Sequence, residues 1–373
     1  MTDIETLKSA LGGLQRCVGQ TPDAGAYVFT SLSLSEPLPN ESPRQKVTDI
    51  SSLAAFTELR KIKVSSQAIT DLSPIISLPY LAELQADNNQ LDCSIERCAA
   101  KWCKEEDGEH AWRSGDRSIG SVLQVVDLSY NKICGPIGDH SKHRFLKSLN
   151  LSNNILEKLG PGLSKLKNLT TLNISNNGIA QIERGNLPTS LTSLDVSLNG
   201  LKNIKFMSNL LGLEICNIDS NRITVLAPLA NCQSLRTACA RNNLLSDFKS
   251  IEDLEENIHL QQLSISGNPL CAVDFVRLRV IAILQQLSEL DGASVDATDK
   301  IKSEVLTGSE HPVRQDIWKD MIQTSFIDMV PAYVENSEED TFKINQARQL
   351  AAEEMVNETI RAATPRSPRC DTR

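Results

Sequence analysis

No run of about twenty apolar residues occurs anywhere in the 373-residue chain, and its start, MTDIETLKSALGGL, places no apolar stretch behind a basic one. A helical membrane span and a secretory leader are therefore not expected, and the chain should be soluble and not secreted. Basic charge is also scarce: 38 Lys and Arg stand against 47 Asp and Glu, a net charge of −9. A general nucleic-acid binder carries a basic face, so protein partners fit this balance better. Catalytic signatures are missing too. There is no glycine-rich phosphate loop, no His-Glu-x-x-His helix and no nucleophile elbow, and the histidines His110, His140, His143, His259 and His311 are scattered along the chain. These gaps predict no enzyme, no cofactor, no small-molecule substrate and no membrane partner.

What the chain does have is a repeated pattern. The string L-x-x-L-x-L-x-x-N-x-L fits nine times, starting at Leu59, Leu81, Leu123, Leu146, Leu169, Leu191, Leu213, Leu235 and Leu260. The steps between starts are mostly 22 or 23 residues, with longer ones of 42 and 25. A short unit at a fixed period is the signature of a solenoid, and this one is the leucine-rich repeat. Each copy supplies one short strand whose fourth and sixth positions point into the core while the third, fifth and seventh face solvent. The predicted fold is an α/β solenoid with a curved parallel β-sheet of about nine or ten strands and helical N- and C-terminal caps. Phe29, Leu32 and Leu34 repeat the start of the pattern and predict a tenth unit ahead of the nine. At the asparagine position stand Asn89, Asn131, Asn154, Asn177, Asn199, Asn221, Asn243 and Asn268, whose amides can bond backbone groups left open where the chain leaves the sheet. Gln67 takes that place in the first copy, which puts its ladder bond in question.

Residues 1–58 are expected to form an N-terminal helical cap and first capping repeat, with one amphipathic helix over residues 2–17 carried by Ile4, Leu7, Leu11 and Leu14. The solenoid proper spans residues 59–292, with an insertion at 92–121 and a closing amphipathic helix over 275–292 that ends in Leu-Asp-Gly. A helical arm follows over 293–363, with helices at 298–305, 316–329 and 341–363 and an acidic run at 335–340, and then a disordered tail at 364–373.

The ten cysteines would allow disulfides, yet Cys216 sits at a core leucine position and the ends lack paired-cysteine caps, so reduced thiols fit better. Cys93, Cys98, Cys103 and His110 in the insertion lack the paired knuckle spacing of a zinc site, and no metal is expected there. The insertion reads instead as a small apolar satellite or contact surface. Solvent-facing strand positions are mostly small and neutral, whereas tight interfaces use aromatic or arginine anchors. The few anchors are Tyr130, Leu198 and Arg241 in the stack, with Trp102 and Trp112 in the insertion and Trp318 in the arm. These six are the candidate protein-binding residues.

Six N-terminal segments carry more than the repeat: TLKSAL at 6–11, AYV at 26–28, VTDI at 47–50, AFTELR at 55–60, AITDLSPI at 68–75 and LQADNNQL at 84–91. In this order they resemble the leucine-rich repeat-containing protein 23 family, radial-spoke components of motile cilia. The resemblance implies a non-enzymatic structural scaffold of the ciliary or flagellar axoneme, in the cytoplasm and cytoskeleton, holding spoke-head proteins together. A phosphatase-regulatory leucine-rich repeat protein shares the period and the Leu-Asp-Gly close. That class is similar to a stack with acidic and aromatic residues along its strip, and here the strip is poor in both.

Overall fold

The computed structural model describes residues 3–12, 15–18, 25–34, 46–72, 74–75, 78–92, 122–134 and 143–307. The chain forms two compact units, Met1–Pro269 and Leu270–Arg373. The helix expected to close the solenoid thus belongs to the second unit. The expected insertion, the arm helices at 316–329 and 341–363, the tail, and Trp102, Trp112 and Trp318 lie outside the described residues.

The first unit opens with a helix, α1 (Asp3–Ser9), and continues through strands β1 (Leu11–Gly12), β2 (Gln15–Val18), β3 (Gly25–Val28) and β4 (Ser31–Leu34). The repeats then supply β5 (Lys61–Val64), β6 (Glu83–Gln85), β7 (Val125–Asp127), β8 (Ser148–Asn150), β9 (Thr171–Asn173), β10 (Ser193–Asp195), β11 (Ile215–Asn217), β12 (Thr237–Cys239) and β13 (Gln262–Ser264). Their order in the sheet is β1, β4, then β5 to β13 as they occur in the chain. All pairs from β4 to β13 are parallel and in zero-shift register, so Leu149, Leu172, Leu194 and Cys216 lie side by side. The predicted tenth unit is present, since Leu32 of β4 pairs with Ile62 of β5.

Burial follows the pattern position by position. Leu59, Ile62, Val64 and Ile69 are closed to solvent in the first copy, as are Leu191, Leu194, Val196 and Leu201 in the sixth. Each such side chain contributes about 1.5–3 kcal/mol, and only neighbouring copies complete its cover. Behind the sheet the chain returns through short 3-10 turns at Ser51–Ala55, Pro161–Lys165, Lys205–Asn209 and Ala227–Asn231, and through a one-turn helix, α2 (Lys249–Glu252).

The N-terminal cap differs from the single helix expected over residues 2–17. The helix stops at Ser9, and Leu11–Gly12 then pairs antiparallel with β4, Leu11 opposite Leu32 and Gly12 opposite Ser31. The reason is local, because the adjacent glycines Gly12 and Gly13 weaken a helix at that point despite the apolar spacing. An antiparallel strand also satisfies the backbone groups of the first parallel strand, which a helix laid across them would not. Gln15–Val18 and Gly25–Val28 form a separate antiparallel pair.

In the second unit, α3 (Val276–Ile283) is followed by a hairpin of β14 (Glu289–Leu290) and β15 (Ala293–Ser294), then α4 (Ala297–Thr307). The helix expected to run to Gly292 therefore ends at Ile283. Leu290, Asp291 and Gly292 build a hairpin turn instead, with φ of 54° at Asp291 and 81° at Gly292, the left-handed pair that Asp-Gly favours. Arg277 clasps these parts together, donating to the carbonyls of Leu290 (3.2 Å) and Ser294 (2.8 Å) and to the Asp299 carboxylate (2.8 Å).

Candidate protein-binding surfaces

The asparagine ladder sets the geometry of every surface on the stack. Asn154 is typical: its Nδ2 donates to the carbonyls of Leu128, Leu151 and Ser152, and its Oδ1 accepts the Ile133 N–H at 3.0 Å. The same set recurs at Asn131, Asn177, Asn199 and Asn221. Gln67 keeps the bond that its extra methylene put in question, accepting the Val47 N–H at 3.0 Å and donating to the Ser65 carbonyl at 3.1 Å.

One position earlier, every copy holds a residue with positive φ: Ser66, Asn88, Tyr130, Asn153, Asn176, Leu198, Ser220, Asn242 and Gly267. The left-handed conformation aims its N–H at the next copy, as in Tyr130 to the Ser152 carbonyl (3.0 Å) and Leu198 to the Asp219 carbonyl (2.8 Å). Asparagine and glycine tolerate this backbone, while tyrosine and leucine carry a cost of about 1–2 kcal/mol each. Both are exposed, Tyr130 by 60% and Leu198 by 54%. Two of the predicted anchors thus stand out from strained turns on one edge of the sheet.

The third described anchor differs. Arg241 is half-buried, its N–H donates to Asp219 (2.6 Å), and its Nη2 donates to Ser264 Oγ (3.0 Å). It braces the outward face of the sheet. That face is locked elsewhere by a device the repeat pattern did not reveal. The fifth-position side chains of Asp127, Asn150, Asn173, Asp195 and Asn217 each accept the N–H two residues on, at 2.9 to 3.1 Å. Asn150 and Asn217 also donate across to Asp127 and Asp195, both at 3.1 Å. These carboxylates and amides are spent on the turn they sit in, in the manner of Asx turns. Asp or Asn at the fifth position of five successive copies, each followed two residues later by Ser or Asp, is the signal that would have found them.

Thiol chemistry is muted in the stack. Burial pushes Cys216 well above its ordinary range, with the neighbouring Cys232 and Cys239 adding to it, and burial raises Cys232 from 9.0 to about 11. Cys216 packs on Met207, the sulfurs 3.9 Å apart. Among the described residues, no group of three or more His, Cys, Asp and Glu side chains is placed to hold a metal ion. No described helix is long and apolar enough to cross a membrane.

Stacked parallel strands, an asparagine ladder and left-handed turns at every step define a leucine-rich repeat solenoid. Family models agree, matching Leucine Rich repeats (2 copies) over residues 144–188 and a Leucine Rich repeat over residues 188–203. The chain is similar to leucine-rich repeat-containing protein 23: it is 27% identical to that protein of Bos taurus over 274 residues, 73% of this chain and 71% of the relative. Identity to the Homo sapiens protein is 25% over 289 residues, covering 77% of this chain and 75% of the relative. A shorter match reaches dynein axonemal assembly factor 11 of Homo sapiens, 41% identical over 56 residues, 15% of this chain and 12% of that one. The resemblance carried by the N-terminal segments therefore extends over about three quarters of the chain.

Proposed function

We propose that this protein is a non-enzymatic scaffold of the ciliary or flagellar axoneme, a radial-spoke component that binds spoke-head subunits. The observation that carries the reading is the similarity to leucine-rich repeat-containing protein 23 along most of both chains. A match to an axonemal assembly factor, though short, points to the same organelle. The chemistry is compatible, because a stack that commits its interior polar groups to its own backbone offers partners only shape, charge and a few exposed anchors. Partners are other proteins, and the described residues proposed to meet them in the stack are Tyr130, Leu198 and Arg241. The test is to tag the protein in a flagellated cell and extract with detergent. Retention with the insoluble axoneme, lost when radial spokes are absent, is the expected result. Recovery in the soluble fraction together with a phosphatase catalytic subunit would overturn it.

A further inference from the structure

The edge where the chain leaves β7 to β11 has a composition unlike the rest of the protein. Between the eighth and twelfth positions of these five copies, the exposed large apolar side chains are Tyr130, Ile155 and Leu198, and the exposed charges are Lys132, Lys202, Arg222 and Glu157. Three cations to one carboxylate reverses the balance of a chain with 47 acidic and 38 basic residues. The tenth position is bare in the middle of this row. Gly178 and Gly200 have no positive φ, and a Cβ on either would meet only ordinary contacts, the nearest at 3.5 Å and 3.6 Å. Neither the backbone nor the packing requires glycine there, although other copies place Lys132, Ile155, Arg222 and Leu244 at the same position. The result is a low saddle between apolar shoulders, rimmed with positive charge, at which another backbone can approach closely.

We infer that this edge docks an acidic amphipathic helix of another protein. The inference rests on the protein-binding reading but not on the axonemal one. A partner strand is disfavoured because the N–H groups along the row are already paired: Lys132 to Leu91, Ile155 to Ile133, Gly178 to Leu156, Gly200 to Ile179 and Arg222 to Leu201, at 2.8 to 3.0 Å. With these tenth-position donors already engaged, recognition is expected to pass through side chains, as it does when a helix lays an apolar stripe into a groove. Strands in a sheet are about 4.8 Å apart, so Tyr130 and Leu198 stand about 14 Å from each other and the cations span about 19 Å. A helix of about thirteen residues covers that span at 1.5 Å per residue. Acidic side chains flanking its apolar stripe would meet Lys132, Lys202 and Arg222. The asparagines occupying the eighth position at Asn153 and Asn176, linked by a 2.6 Å hydrogen bond, keep the floor polar and low between the anchors.

The test is site-specific photo-crosslinking of the full-length protein in its own cells. Benzoylphenylalanine is installed at Tyr130, at Leu198 and, as a comparison on the outward strand face, at Thr171, and the attached peptide is sequenced by mass spectrometry from whole-cell lysate. The expected product from Tyr130 and Leu198 is a peptide of net negative charge with apolar residues three and four apart. Its yield should fall about tenfold when Lys132→Glu, Lys202→Glu and Arg222→Glu are combined, and fall with added salt. The proposal is overturned by crosslinks from Thr171 alone, by neutral or basic peptides, by attachment to a second copy of this chain, by a yield indifferent to charge reversal, or by no product from a chain shown to be folded by circular dichroism. Because lysate is used rather than isolated axonemes, a soluble protein that still gives the acidic product would sink the axonemal reading and leave this one standing.

Discussion

Replacing Asn154 by alanine should be among the most damaging single changes that leaves the apolar core untouched. The side chain is 9% exposed and makes four hydrogen bonds, three as donor and one as acceptor. Alanine strands the Ile133 N–H and takes a partner from the Leu128 carbonyl, both between copies, where packed leucines on either side exclude water. A buried group left unpaired costs about 1–3 kcal/mol, and since the Leu128 carbonyl keeps its bond from Asn131 Nδ2, the expected loss is about 1–3 kcal/mol. With a urea slope of about 2–3 kcal/mol per molar, the midpoint should move down by about 0.5–1 M at unchanged slope. Asn243, four copies further on and about 19 Å away, holds the same station, bonding the Ile218 and Arg241 carbonyls and accepting the Ile223 N–H. The double variant should therefore lose the sum of the two single losses to within about 0.5 kcal/mol. A loss below about 0.5 kcal/mol for Asn154→Ala would refute the reasoning, since it would mean that water reaches the ladder and takes over its bonds. A double loss well beyond the sum would mean instead that the copies couple over long range, against the nearest-neighbour picture.

Leu198→Asn should stabilise the stack by about 0.5–1 kcal/mol, because asparagine accepts the left-handed turn and the lost leucine is exposed. A fall in thermal midpoint would show that Leu198 packs more tightly than its 54% exposure indicates. Stability should also decline in base. Cys232 keeps its proton in the fold up to about pH 11, whereas an unfolded thiol releases it near 9.0, so its contribution is complete below the lower value and lost as pH rises through the higher one. Urea midpoints measured at several pH values across that window should fall less steeply in Cys232→Ala than in the parent, and equal slopes would count against the assignment. In the second unit, Arg277→Ala should cost about 1.5–3 kcal/mol, mainly through the Leu290 and Ser294 carbonyls, because the Asp299 ion pair is partly open to solvent. Hydrogen exchange at the Val295 N–H, which bonds the Ser288 carbonyl across the hairpin, should speed up; unchanged protection would refute the clasp.

How much was legible from residues alone follows the physics of each feature. The strands and their register were readable because burial repeats at a fixed step, and a leucine shifted by one residue would face water, so the pattern tolerates no slip. Both cap helices are present but stop short of what their apolar spacing implies. Ile4, Leu7, Leu11 and Leu14 have helical spacing, as does the stretch after Phe275, but periodicity speaks only of faces: Gly12-Gly13 disfavour continuing the first helix, and the second ends at Ile283, leaving Asp291-Gly292 to turn a hairpin. The left-handed eighth position stayed hidden because Tyr130 and Leu198 are the wrong residues for it. Aligned copies hold Asn, Ser or Gly at that station in Ser66, Asn88, Asn153, Asn176, Ser220, Asn242 and Gly267, and the two exceptions are the informative ones. Asn257 was invisible for the opposite reason. It lies outside the repeat pattern, yet it is wholly buried and donates to the carbonyls of Leu229 (3.1 Å) and Cys232 (2.8 Å) behind the sheet.

The exceptions bear on where a partner would bind. On the outward strand face, Asp127, Asp195 and their amide neighbours are held by the N–H groups two residues on, so a ligand there would have to break an internal bond for most of those it made. Hydrogen bonds exchanged one for one add little net affinity. The exit edge is different, because Tyr130, Ile155 and Leu198 expose apolar surface that forms no side-chain hydrogen bond among the described residues, and burying that surface removes water at about 25 cal/mol per Å². Strain points the same way. A tyrosine or leucine at a left-handed turn costs the folded chain about 1–2 kcal/mol that asparagine would not. Since six of the other copies use asparagine or serine at this station, the cost is avoidable, and contact with another polypeptide is a return that the isolated chain cannot supply.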